Sequence, residues 1–143
     1  MSEARAALNR ALSISPGSGL ANFNLGSLEL AEGHAQEALT IFRRAGEVFS
    51  QEGIAMAEHA LGHRKESQQA LDELIAKYAH DWAFQIAQVH AWRGEPDKAF
   101  EWLERAYEQR DGGLEVIKAD PRFKALRTDA RFAALLKKLG LPE

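Results

Sequence analysis

Glycines 33, 62 and 94 limit what this chain can fold into more than any other feature, because each separates two stretches whose apolar residues recur at helical spacing. The pattern is clearest around Gly33. Upstream of it, Phe23, Leu25, Gly26, Leu28 and Leu30 recur at helical rather than strand steps, and no residue from 22 to 31 is proline or β-branched. Downstream, Ala35, Ala38, Leu39, Phe42 and Ala45 follow at three- and four-residue steps, so a second helix can lay its stripe back on the first. Glycine at the junction suits a left-handed helix end, a conformation that a side chain would penalise by roughly 1 kcal/mol. Gly26 and Ala38 permit close approach of the two backbones. Residues 22–45 therefore predict a helical hairpin.

The hairpin recurs with variation. Gly62 follows Gly33 by 29 residues; Gly53 to Leu61, with Ile54, Ala55 and Met56, predicts a short first helix, and Ser67, Leu71 and Leu74 mark the second. The shortening is expected in the first helix or the turn before it. Gly94 follows Gly62 by 32 residues, with Ile86, Ala87 and His90 before it and Ala99, Leu103 and Ala106 after it. Pro96 falls in a first turn, where its missing N–H costs little. Near the start, Ala4, Leu8 and Ala11 have the spacing of a second helix without a first, and Ser15 to Gly19 reads as a turn. Either the chain is a piece of a longer array, or that face is covered by self-association.

These residues resemble the tetratricopeptide repeat, whose signature is W-x2-L-G-x2-Y, then A-x3-F, then a proline. Leu25-Gly26, Ala38-x3-Phe42 and Ala45 stand where that family has them, as does Pro16 after Ala11. Asn22 and Glu29 replace the two aromatics, and Ser50 stands in place of the proline. The resemblance implies an all-α, right-handed solenoid forming one domain over residues 1–143. Its parts would be a half repeat at 3–16, repeats at 19–50, 51–79 and 80–111, and a helical cap at 112–143. Within the tail, residues 120–126 (DPRFKAL) and 129–135 (DARFAAL) are near copies nine residues apart. Asp120 and Asp129 suit N-caps and Pro121 a first helical position, while Phe123, Leu126, Phe132, Leu135 and Leu136 supply buried anchors. This tail looks like the segment that closes such arrays in bacterial signalling proteins, for example those attached to adenylate cyclase or winged-helix regulator domains.

In this family first helices line a concave surface, so the resemblance places a partner-binding groove on Phe23, Asn24, Ser27 and Leu30, on Glu52, Met56 and His59, and on Asp81, Phe84, Gln85, Gln88 and Trp92. Aromatic, amide and thioether groups with few charges suit a peptide or helix with apolar anchors. Phe84 and Trp92 can equally serve as packing between repeats. Some members grip a C-terminal carboxylate with lysine and asparagine; Asn24 is present here without a lysine or arginine beside it, so that clamp is not expected. The implied function is a non-catalytic scaffold for a protein partner. The other readings are a homodimer through Ala4, Leu8 and Ala11, and a small-ligand sensor.

Chemistry of other kinds has little support. His59 and His63 are four apart near Glu58 and Glu66, but Gly62 breaks the helix that a metal pair needs, so no metal is expected. His90 reads as a hydrogen-bonded core histidine. No nucleophile elbow, phosphate-binding glycine loop or H-E-x-x-H occurs, and no cofactor is expected. The 143 residues contain no cysteine, which excludes disulfides and a thiol nucleophile. Early charges break any signal-peptide core, so the expected location is cytoplasmic. Formal net charge is -3, yet residues 118–143 hold seven basic against three acidic side chains. That basic end reads as a solvated helix face, with neither nucleic acid nor membrane expected as partner.

Overall fold

The computed structural model describes residues 2–142, and among them all regular structure is helical. Two compact units share the chain, one ending at Lys77 and one beginning at Tyr78.

The first unit holds α1 (Ser2–Ile14), α2 (Gly19–Ala31), α3 (Ala35–Phe42), α4 (Glu47–Ala60) and α5, which runs from Arg64 to Tyr78 at the boundary. Helix α2 packs on α1, α3 and α4. Its start is specified locally: the Ser18 hydroxyl accepts from the Ala21 N–H at 3.2 Å, satisfying one of the donors that a helix leaves open. Asn22, standing in the place of the signature tryptophan, is buried and donates its amide to the carbonyls of Pro16 and Ser18 at 3.0 and 2.9 Å. It therefore holds the turn that an aromatic would merely cover.

The glycine hinges form as the sequence predicts. Gly33, Gly62 and Gly94 have φ of 86°, 81° and 73°. At each, two backbone bonds close the helix: His34 N–H to Glu29 C=O, His63 to Glu58 and Glu95 to His90 span the turn at 2.8 to 2.9 Å, with the glycine N–H bonded inside them. This 6→1 and 5→2 pairing satisfies carbonyls that the helix end leaves free. Counted from each glycine, the anchors that follow stand at the same positions, and Ala38, Phe42 and Ala45 (just past α3), Ser67, Leu71 and Leu74, and Ala99, Leu103 and Ala106 are all buried. Ser67 keeps its hydroxyl inside by donating to the Ala55 carbonyl at 2.7 Å.

The hairpin around Gly62 departs from expectation. Its first helix, α4, is 14 residues long rather than the short segment expected from Gly53, and the shortening lies in α3, which has 8. Past Phe42 the chain tightens into i to i+3 bonds, Arg44 N–H to Ile41 and Ala45 N–H to Phe42, and turns at Gly46 with φ 73°. Gly53 is no helix start. It lies inside α4 because a Cβ there would stand 2.1 Å from the Phe42 ring, and one at Gly26 would stand 2.6 Å from the same ring. Two glycines thus make the slot that takes Phe42, which is fully buried and 5.6 Å from Phe23 between ring centroids.

The second unit pairs α6 (Ala83–Trp92) with α7 (Pro96–Glu108) and continues through two 3-10 segments, Gly112–Val116 and Pro121–Leu126, into α8 (Ala130–Leu139). The near-copy seen at 120 and 129 is a threefold pattern. Asp111, Asp120 and Asp129 are spaced by nine residues, each in extended backbone, and each accepts from the N–H two residues on, of Gly113, Arg122 and Arg131, at 2.9 Å. Buried anchors follow each aspartate at three and six residues: Leu114 and Ile117, Phe123 and Leu126, Phe132 and Leu135. A three-residue step suits a 3-10 helix, whose i and i+3 side chains line up. Only the third copy adds a buried residue at the next position, Leu136, and there the chain becomes α-helical.

Candidate functional site

The first helices and the hinges that end them carry the polar groups of interest. Of the groove positions expected from sequence, Phe23, Leu30, Glu52, Met56, Phe84 and Gln88 are buried. This corrects the expectation of an open groove at those positions, and the reason is packing inside each unit. In the first unit the Phe23 ring lies 5.6 and 5.5 Å from those of Phe42 and Phe49. In the second, the Phe84 ring lies 5.4 Å from Phe123, against Gly113, and Gln88 Nε2 donates to Asp120 Oδ2 at 2.5 Å. The tail covers that part of α6.

Another set of groove positions stays accessible. Asn24 and Asp81 are exposed, and Ser27, His59, Gln85 and Trp92 are half-buried. Asn24, Ser27 and His59 belong to the first unit; Asp81, Gln85 and Trp92 belong to the second. Two of these residues carry a buried polar atom without a hydrogen-bond partner among the described residues, Ser27 Oγ and Gln85 Oε1.

A carboxylate and an imidazole meet across every glycine hinge, a feature outside the sequence expectations. His34 Nδ1 lies 2.8 Å from Glu29 Oε2, His63 Nδ1 lies 2.7 Å from Glu58 Oε2, and His90 Nδ1 lies 2.8 Å from Glu95 Oε1. The two partners always occupy the third-last helical position and the residue after the glycine, in reversed order at the last hinge. The signal is in the sequence as E-x3-G-H at 29–34 and 58–63, and as H-x3-G-E at 90–95. His63, weighed from sequence as a metal partner of His59, is thus turned to Glu58.

Charge at the first hinge extends to α1. The Arg5 guanidinium bonds both Glu29 and Glu32, and these two carboxylates with His34 bring their ligand-type atoms within 4.8 Å of one another. Such a trio has metal-ligand chemistry, but Arg5 supplies the balancing cation and lowers the pKa of Glu29, with help from His34. Arg5 shares its α1 face with half-buried Leu8 and Leu12, while Ala4 and Ala11 are exposed. At the third hinge, burial lowers the pKa of His90, outweighing the bond to Glu95. Burial opposes ionisation of Glu95, yet bonds from Arg93 and His90 win, and its pKa is lowered too. An ionised carboxylate can only accept, so the His90 Nδ1–H is the donor of this bond. His90 is the hydrogen-bonded core histidine that the sequence predicts.

No helix among the described residues is long and apolar enough to cross a membrane. A family model described as Tetratricopeptide repeat matches residues 2–47 and 53–113. The chain belongs to the tetratricopeptide repeat family. Repeats of this family generally mediate protein–protein interaction, and the fold itself is non-catalytic. The two matched stretches include all three hinges and end where the first 3-10 segment begins. No curated protein and no solved structure matches the chain.

Proposed function

We propose that this tetratricopeptide protein is a scaffold that binds a peptide or helix of another protein on the accessible faces of its first helices. The observation that carries the reading is that Asn24 and Asp81 are exposed, and Ser27, His59, Gln85 and Trp92 half-buried, on or beside the first helices, where the family binds partners. Asn24 and His59 on one unit, with Asp81 and Trp92 on the other, supply the rim of those faces. The tail's likeness to segments that close bacterial signalling arrays points to a cytoplasmic regulatory assembly as its setting.

Selection of a displayed-peptide library against the wild-type chain tests this, with enriched clones then measured on Asn24→Arg and Gln85→Ala. Clones that bind the wild type and weaken about tenfold or more on either variant support the reading. Clones that bind both variants unchanged place recognition elsewhere.

A second reading, self-association through α1, has its own observation. Ala4 and Ala11 are exposed in a register that is buried on α3 and α7, and Ile14 beyond them is 86% exposed. Ala11→Glu would split such a dimer, and light scattering showing the same mass for both proteins would remove it.

A further inference from the structure

We propose that the concavity between Trp92 and residues 121–128 docks an acidic, partly apolar peptide segment of a partner protein. The inference rests on the protein-interaction reading above and adds the chemistry of the partner. Ala91, Trp92, Pro121 and Ala125 make an apolar floor, with Arg122 and Lys124 at the rim, around a volume of 480 Å3. That size accepts one or two apolar side chains. The cations come from the tail, which is why first helices read alone offer none.

The charge around the concavity is one-sided. Between residues 118 and 127 stand Lys118, Arg122, Lys124 and Arg127 against one carboxylate, Asp120, which is buried, pairs with the Arg122 guanidinium at 3.2 Å and accepts from the Arg122 N–H and from Gln88, so that Lys118, Lys124 and Arg127 carry the excess. Lys118 donates to the Pro142 carbonyl, and Arg127 donates to the Lys118 and Asp120 carbonyls, bonds that leave formal charge uncancelled. Further along the tail, Arg131 meets Asp97 and Asp129, and Lys138 meets Glu104. Three uncancelled cations thus lie within ten residues of one another, beside an apolar floor, on a chain whose formal net charge is -3. A nucleic acid or an anionic bilayer would meet repulsion from the rest of such a chain, whereas a short acidic segment reaches only the patch.

The test uses the displayed-peptide library on the whole chain, with Lys124→Glu and Thr128→Glu as variants, since both side chains are exposed. Circular dichroism first establishes that both fold. Enriched clones should combine Asp or Glu with Leu, Phe or Trp, should weaken about tenfold on Lys124→Glu, and should weaken again as salt is raised. Basic or uncharged clones, acidic clones that bind both variants unchanged, or tighter binding to a thymidine oligonucleotide or phosphatidylserine vesicles would each overturn the proposal. Clones indifferent to both variants but lost on Asn24→Arg or Gln85→Ala remove this inference and leave the scaffold reading standing. A library that yields no binder removes both.

Discussion

Glycine has two separate jobs in this chain, and substitution tells them apart. At Gly33 the space around a new Cβ is empty and the cost is purely conformational, so Gly33→Ala should lose about 1 kcal/mol. At Gly53 the backbone is ordinary helix, where alanine alone would gain up to about 1 kcal/mol, but the Cβ meets the buried Phe42 ring at 2.1 Å. Overpacking of that kind costs about 1–3 kcal/mol, so Gly53→Ala should lower the urea midpoint. A raised midpoint would contradict the slot described for Phe42. His90 gives a pH signature. Because burial depresses its native pKa, the unfolded chain takes up a proton first as pH falls through the ordinary imidazole value. Stability should therefore decline below about pH 6.5 and level off below the native pKa. His90→Gln should flatten that decline; an unchanged slope between neutral and mildly acidic buffer would assign it to other groups. The hinge glycines and their anchors were legible in the sequence, since a left-handed turn needs only local residues. The slot at Gly53 was not, because its occupant is eleven residues away and nothing local distinguishes a slot from a helix start.

Among the elements, the tail differs most from its sequence reading. Its two legible copies proved to be three, and the missing one begins at Asp111, hidden because Gly112 and Gly113 resemble a loop rather than a helix start. Asp111 joins two elements: Oδ1 accepts from the Gly113 N–H at 2.9 Å and Oδ2 from the Phe84 N–H, in the first turn of α6, at 3.2 Å. Asp111→Ala should therefore cost about 1–3 kcal/mol, more than a cap serving one segment alone. Amide hydrogen exchange should show faster opening at both Gly113 and Phe84; faster exchange at one alone would mean that the carboxylate does not couple them. Asp120 repeats the device through Gln88, and this explains the correction to the groove. Residues 84 and 88 carry the spacing of a binding face, but the element that covers them lies more than 25 residues downstream, beyond the reach of any local pattern.

For the whole molecule, the basic character of the last 26 residues takes on two meanings in the structure. Arg131 and Lys138 are spent on α7 carboxylates, with Arg131 also over the Phe100 ring and Lys138 over that of Tyr107, which ties α8 to the repeat helix before it. The sequence reading of a solvated basic face describes neither this tie nor the uncancelled charge beside Trp92. Composition counts charges, but their pairing depends on which element lands where. Each unit retains accessible first-helix residues, and the central claim is that a partner peptide binds there. The most direct measurement is amide chemical-shift mapping of the labelled chain with the tightest peptide from the library. Shifts clustered at Asn24, Ser27 and His59, or at Asp81, Gln85 and Trp92, are the predicted result. Shifts confined to α3, α5 and α7, with those residues silent, would contradict it.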